Sequence, residues 1–177
     1  MFTIFAVPKA FVGQVGVIQR NAIASWLRLT PGLQVLLFGK EPGTKEAARE
    51  LDVDHVSSIR CNEYGTPLAD DVFEQAQQRA AHDLLCYVNS DIILMNDLTE
   101  AAAAVSRLGR PAVLVGQSIE IDLRTPIEFS DADWGARLRW TISYSREVYL
   151  GRSHPSRWAG PVMIIGLSGG HAERGRS

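Results

Sequence analysis

The chain has 177 residues and lacks most of the features that would assign it at a glance. No window approaches eighteen uninterrupted apolar residues, so nothing in it is expected to span a membrane. The opening "MFTIFAVPKAF" has neither the basic start nor the long apolar run of a signal peptide. There is no basic stripe, and the formal net charge is -2, which argues against nucleic acid as the main partner. The two cysteines, Cys61 and Cys86, are far apart, and Cys86 sits inside an apolar run as a small core residue. A reducing, cytoplasmic location fits that usage. The glycine fingerprint G-x-G-x-x-G does not follow the first apolar run, and the phosphate loop G-x-x-x-x-G-K-S/T is missing, which disfavours dinucleotide cofactors and P-loop hydrolysis. There is no G-x-S-x-G elbow and no acidic cluster near the first strand, so a serine hydrolase and a receiver domain are also disfavoured. No internal repeat or low-complexity segment appears.

What is present is a composition of 46% hydrophobic and 21% charged residues, that of a soluble domain with a sizeable core. "FTIFAV" (Phe2 to Val7), ended by Pro8, reads as a buried first strand, and "FVGQVG" as a loop. Ile18, Ala22 and Trp26, with Ile23 and Leu27 beside them, make one face of an amphipathic helix, stopped by Pro31-Gly32. Leu33 to Gly39 is a second strand, Thr44 a helix cap for "KEAARELD", and "HVSSI" (His55 to Ile59) a weaker third strand. A polar loop, "RCNEYGTPLADD", leads into a helix with Val72, Phe73, Ala76 and Ala80 on one face. Asp70 and Asp71 lie where carboxylates favour a helix N-terminus. A fourth strand begins at Leu84, Asp97 caps the next helix, Pro111 to Gly116 is a fifth strand, and "SIEIDL" (Ser118 to Leu123) reads as a sixth. This alternation predicts a three-layer α/β/α fold with a mostly parallel central sheet. In such sheets ligands bind outside the carboxyl ends of the strands, where strand order reverses.

One stretch resists a purely structural reading. "LLCYVNSDIILMNDL" interrupts a buried run with Asn89-Ser90-Asp91. The triplet falls at the carboxyl end of the fourth strand, and residues two apart in an extended segment project to the same side. Asn89 and Asp91 would then converge, which suits Mg²⁺ or Mn²⁺ beside a diphosphate. The alternative is that Asp91 hydrogen-bonds a turn. Against that, apolar residues on both sides suggest an Asp held between buried runs, whose charge needs a partner.

The order of these elements resembles the nucleotide-binding half of a GT-A glycosyltransferase, in which a D-x-D or related motif ends the fourth strand. Here that motif reads Asn89-Ser90-Asp91, with Asn replacing the first acid. The phrases "GVIQRNAIASW", "LLFG", "NEYGTPLADDVFEQAQ", "LLCYVNSDIIL" and "VGQ" carry the likeness to bacterial glycosyltransferase-like proteins over most of residues 1 to 120. The resemblance implies sugar transfer from a nucleotide diphosphate to an acceptor hydroxyl, helped by Mn²⁺ or Mg²⁺. It implies that Asp91 is the metal ligand and Asn89 a secondary one. It puts Ala6, Val7 and Pro8 near the nucleobase, and Gly39, Lys40 and Glu41 by the base or ribose. Asn62, Thr66 and Asp70 would be contacts to the donor.

The second half departs from that pattern. Asp131 onward reads as a helix, with Trp134, Leu138 and Ile142 at steps of four. Residues 1–150 are then an incomplete nucleotide-sugar-binding domain, and residues 151–177 an irregular, poorly ordered tail. A shifted reading frame through Val162-Met163-Ile164-Ile165 would encode a central Asp there; alternatively "PVMIIG" is a genuine buried strand. The remaining candidates for a general base are Asp122, Asp131, Asp133 and His154. Two functions follow: a metal-dependent glycosyltransferase, or a nucleotide-binding remnant without turnover.

Overall fold

The computed structural model describes residues 1–110, 112–116, 121–138 and 163–167. Its elements are β1 (Thr3–Ala6), α1 (Gly13–Trp26), β2 (Gln34–Phe38), α2 (Thr44–Glu50), β3 (Asp54–Val56), α3 (Ala69–Arg79), β4 (Leu84–Val88), α4 (Asp97–Ser106), β5 (Val113–Gly116) and β6 (Met163–Leu167). A helical stretch over 134–138 lies between β5 and β6. The six strands form one sheet in the order β3-β2-β1-β4-β6-β5. β3, β2, β1 and β4 run parallel, and β6 runs antiparallel to both β4 and β5.

Strand pleating divides the core into two layers, because successive side chains leave opposite faces of the sheet. On one face Ile4, Ala6, Val35, Leu37, Leu84, Cys86 and Val88 meet Ala22, Ile23 and Trp26 of α1, Ala47 and Ala48 of α2, and Leu98, Ala102 and Val105 of α4. On the other face Phe5, Leu36, Phe38, Val56 and Leu85 meet Val72 and Ala76 of α3. Phe5 stacks edge-on against Phe73, with ring centroids 5.0 Å apart. The expected three-layer arrangement is therefore present. α3 takes the opposite face because the chain reverses direction across the sheet between β3 and β4, and a right-handed crossover in the new direction must pass over the other side.

Several local expectations are corrected by packing. The glycines of "GQVG" belong to α1, not to a loop, and the helix starts at Gly13 instead of Val17. Gly16 is required there, since a Cβ would lie 2.8 Å from the backbone carbonyl group of Phe11. Thr44 is the first residue of α2 and not its cap; Gly43 takes that position with φ 83°. A side chain at Gly43 would meet the Phe11 Cβ at 2.9 Å. The amide of Phe11 donates to the Pro42 carbonyl at 2.8 Å, so the loops after β1 and β2 are locked together. Asp97 is likewise the first residue of α4, although its carboxylate still accepts from the Leu98 amide at 3.1 Å. Ile121 to Leu123 are irregular, and the rest of the strand expected over 118–123 lies outside the described residues. The sixth strand is Met163–Leu167, which matches the reading of "PVMIIG" as a strand and not that of an irregular tail there. The helix expected from Asp131 to Gly151 is described only as far as residue 138.

Two outcomes test this packing. Burial pushes the Cys86 thiol up to about 12, whereas Cys61 is exposed. A thiol reagent at neutral pH should label Cys61 rapidly and Cys86 only after denaturation; rapid native labelling of both contradicts the buried β4. Gly43→Ala should cost about 1–3 kcal/mol in urea unfolding, from a left-handed backbone and a clash with Phe11.

Candidate functional site

The strand order reverses at β1. The chain moves from β1 to β2 on one side, and β4 later inserts on the other. Loops leaving β1 and β4 at their carboxyl ends therefore diverge, which opens an edge suited to a ligand. Val7, Pro8 and Lys9 leave β1 there, and Asn89, Ser90 and Asp91 leave β4. β2 ends beside them at Phe38, followed by Gly39, Lys40 and Glu41.

The triplet lies in a turn just past β4. Ser90 is buried, 5% exposed, while Asn89 and Asp91 are both exposed. The expectation of an Asp held between buried runs is thus corrected: the inward polar group is the neutral Ser90, and the carboxylate faces outward. Among the described residues the structure gives Asp91 no hydrogen-bond or ion-pair partner. The Asn89 carbonyl accepts from the Ile92 amide at 3.1 Å, so a backbone turn leaves the triplet without using the Asp91 side chain.

Ser90 is held by a residue that periodicity did not single out. Its hydroxyl donates to Gln19 Oε1 at 2.6 Å. The same oxygen accepts from the Lys9 amide at 2.8 Å, and Gln19 Nε2 donates to the Lys9 carbonyl at 2.9 Å. Gln19 is 1% exposed. One carboxamide on α1 thus ties the exit of β1 to the exit of β4. Further along α1, the Ser25 hydroxyl accepts from the Leu94 amide at 3.0 Å and Trp26 Nε1 donates to the Ile92 carbonyl at 2.8 Å. Asn21 donates to the Thr125 carbonyl and accepts from the Ile127 amide, each at 2.9 Å. Ile18 and Leu27, which the apolar pattern put on the buried face, are half-buried. Gln19, Asn21 and Ser25 are buried instead, and each satisfies backbone groups of an irregular segment. Their only signal in the sequence was position: Gln19 and Ser25 lie three residues either side of Ala22, and Asn21 lies next to it.

The other candidates lie at the ends of β2 and β3. Gly39 is buried with φ 113°, and its amide donates to the Val56 carbonyl at 3.0 Å. His55 Nε2 donates to the Gly39 carbonyl at 2.8 Å, since a carbonyl only accepts. Lys40 and Glu41 are exposed, and Pro8 is buried. Asn62 uses its side-chain oxygen on its own turn, accepting from the Tyr64 and Thr66 amides at 3.0 and 2.9 Å. Thr66 is exposed at the same turn. Asp70 is exposed and pairs with Arg60 Nη2 at 3.2 Å.

Asp71, expected to favour the helix N-terminus by capping, makes no cap hydrogen bond to α3. It reaches back to the loop, accepting from the Arg60 amide at 2.7 Å and Arg60 Nε at 2.9 Å, and it also accepts from Gln75 Nε2, one turn along α3, at 2.9 Å. The Arg60 amide, then its guanidinium, hold the Asp71 carboxyl below the usual carboxylate range. This clamp fixes both ends of the loop that carries Asn62 and Thr66.

Two of the acids considered as a general base are also engaged. Asp122 pairs with Arg124 at 2.9 Å, and that hydrogen bond holds its carboxyl low. Asp131 pairs with Arg137 Nη2 at 2.7 Å and accepts from the Asp133 amide at 2.8 Å. Asp133 is exposed, and His154 lies outside the described residues. Among the described residues no three His, Cys, Asp or Glu side chains are grouped to hold a metal ion. A shallow hollow of about 170 Å³ lined by Met1, Phe2, Leu84 and Ala102 lies at the opposite, amino-terminal end of the strands. Among the described residues no helix is long and apolar enough to cross a membrane.

No family model and no curated protein matches the chain. Among solved structures it is similar to TarS residues 1–349 from S. aureus, at 15% identity and TM-score 0.47, over 68% of this chain and 38% of that one. It is also similar to the glycosyltransferase GlyE from Streptococcus pneumoniae TIGR4, at 14% identity and TM-score 0.37, over 86% of this chain and 40% of that one. The likeness is one of fold. The chain spans less than half the length of either structure.

The Asp71 clamp makes a prediction about acid stability. A carboxyl whose folded pKa is depressed contributes stability above its unfolded pKa and loses it as pH falls through the folded value. Asp71→Asn should therefore lower the melting temperature at pH 7 and pH 5. The gap to wild type should close as pH falls below about 4, the ordinary Asp range. A gap independent of pH would show that the carboxylate charge contributes nothing.

Proposed function

We propose that the chain is the nucleotide-sugar-binding part of a glycosyltransferase-like protein, binding its donor across the carboxyl ends of β1, β2 and β4. The observation that carries this reading is Asp91: an exposed carboxylate at the strand-order reversal with no partner among the described residues, and with Asn89 exposed two residues before it. A structural Asp at a turn would be expected to hydrogen-bond its own backbone. Asn62 does so in this chain, and Asp91 does not.

Asp91 and Asn89 would hold a divalent cation. One carboxylate and one amide oxygen are too few ligands for an all-protein site. They fit an ion such as Mg²⁺ or Mn²⁺ that takes its remaining ligands from a diphosphate and water. When bound, such an ion neutralises charge developing on the departing nucleotide diphosphate. The loops after β1 and β2 would flank the base and ribose, with the buried Pro8 and Gly39 giving a rigid wall and Lys40 an exposed cation.

A second reading has its own support. Binding of a nucleotide without turnover fits Asp122, because a carboxylate held low by arginine is a poor proton acceptor near neutral pH.

The test is calorimetry with UDP- and GDP-sugars, with and without Mn²⁺. Binding should require the metal and weaken at least about 10-fold in Asp91→Ala, with the circular dichroism unchanged. Mn²⁺ alone should bind far more weakly than with the nucleotide. Product formation separates the transferase from the binding module. No binding of any nucleotide with any metal overturns both.

A further inference from the structure

Gln19 is a buried side chain that hydrogen-bonds to both loops of the strand-order reversal. Its Oε1 has two partners, the Ser90 hydroxyl at 2.6 Å and the Lys9 amide at 2.8 Å, and its Nε2 has the Lys9 carbonyl at 2.9 Å. The carboxamide must therefore supply an acceptor and a donor at once. Glutamate would lose the donor and bury a charge, and methionine would lose both functions. Ser90 stands between the two residues that face outward. The turn closed by the Asn89 carbonyl and the Ile92 amide carries all three residues, so anchoring Ser90 inward fixes the backbone from which Asn89 and Asp91 project.

We propose that Gln19 is a positioning residue for the ligand-facing Asn89–Asp91 edge, holding it in register with the β1 loop through Ser90. The inference rests on the donor-binding reading of Asp91 given above. Gln19 touches no ligand. It acts by keeping Ser90 turned inward, so that Asp91 is preorganised and no ordering of the loop is needed on binding. The Lys9 contacts add the other half of the link: the β1 exit, carrying Pro8, moves with the β4 exit as one rigid edge.

The experiment compares Gln19→Met and Ser90→Ala with Val72→Ala, a core change in α3 on the opposite face of the sheet. Each is titrated with Mn²⁺ and UDP- or GDP-sugar by calorimetry, and its unfolding midpoint in urea is measured. Gln19→Met and Ser90→Ala should each weaken metal-dependent binding about 10- to 100-fold, the range for residues that orient a metal ligand. The double variant should be no weaker than the worse single one, because both remove the same link. Val72→Ala should lower stability and leave affinity unchanged. Amide hydrogen exchange at residues 89–92 should quicken in Gln19→Met beyond the global change, and not in Val72→Ala. If wild type binds and Asp91→Ala does not, while Gln19→Met binds like wild type, the positioning role is overturned and the donor site stands. If Val72→Ala weakens binding as much as Gln19→Met, the effect is general destabilisation and the role is again overturned. If wild type binds no nucleotide at all, the donor-binding reading itself falls, and the proposal falls with it.

Discussion

The rest of the candidate site depends on a buried carboxamide. Gln19 sits on a helix face that otherwise meets aliphatic and aromatic side chains, and it is 1% exposed. A polar group so placed is tolerable only with its hydrogen bonds made, since leaving a buried donor or acceptor unpaired costs about 1–3 kcal/mol. Its partners are a backbone amide and carbonyl at the end of β1 and a hydroxyl at the end of β4. These strand exits lie where the sheet's order reverses, so neither loop can be held by a continuing ladder. The helix supplies the missing partners.

The same logic runs down α1. Ser25, Trp26 and Asn21 each satisfy backbone groups in stretches that have no regular structure of their own. Buried irregular backbone must be paired somewhere. In this protein much of that pairing is concentrated on one helix, which explains why α1 is less cleanly amphipathic than its position under the sheet suggests. The arrangement makes α1 a template. It packs the sheet with Ala22, Ile23 and Trp26, and it fixes the residues after β4 with the polar positions between them.

On the far side, the loop after β3 is held by a charge. Asp71 draws in Arg60 by backbone and side chain, and Asn62 closes the turn between them. The acid that would ordinarily serve the helix dipole is used to anchor a loop instead. Both edges of the site are thus tied down by side chains, one neutral and buried, the other ionic and at the surface. Asp91 differs from these groups in being exposed and without a partner among the described residues, and this difference singles it out.

The sequence by itself determined the alternation of strands and helices, the two-sided burial of the sheet, and the position of Asn89-Ser90-Asp91 at a strand end. Those follow from apolar periodicity and from proline and glycine punctuation, which act over a few residues. It did not determine which of the three polar residues turns inward, that Gly16 and Gly43 are needed for the approach of Phe11, or that Gln19, Asn21 and Ser25 are core residues. It also did not select between a tail and a strand at Met163–Leu167. Each of these depends on a partner distant in the chain: Ser90 lies 71 residues from Gln19, and Ile127 lies 106 from Asn21. A polar side chain has no local preference for burial, and only the backbone groups that the tertiary fold brings to it decide that it goes inside.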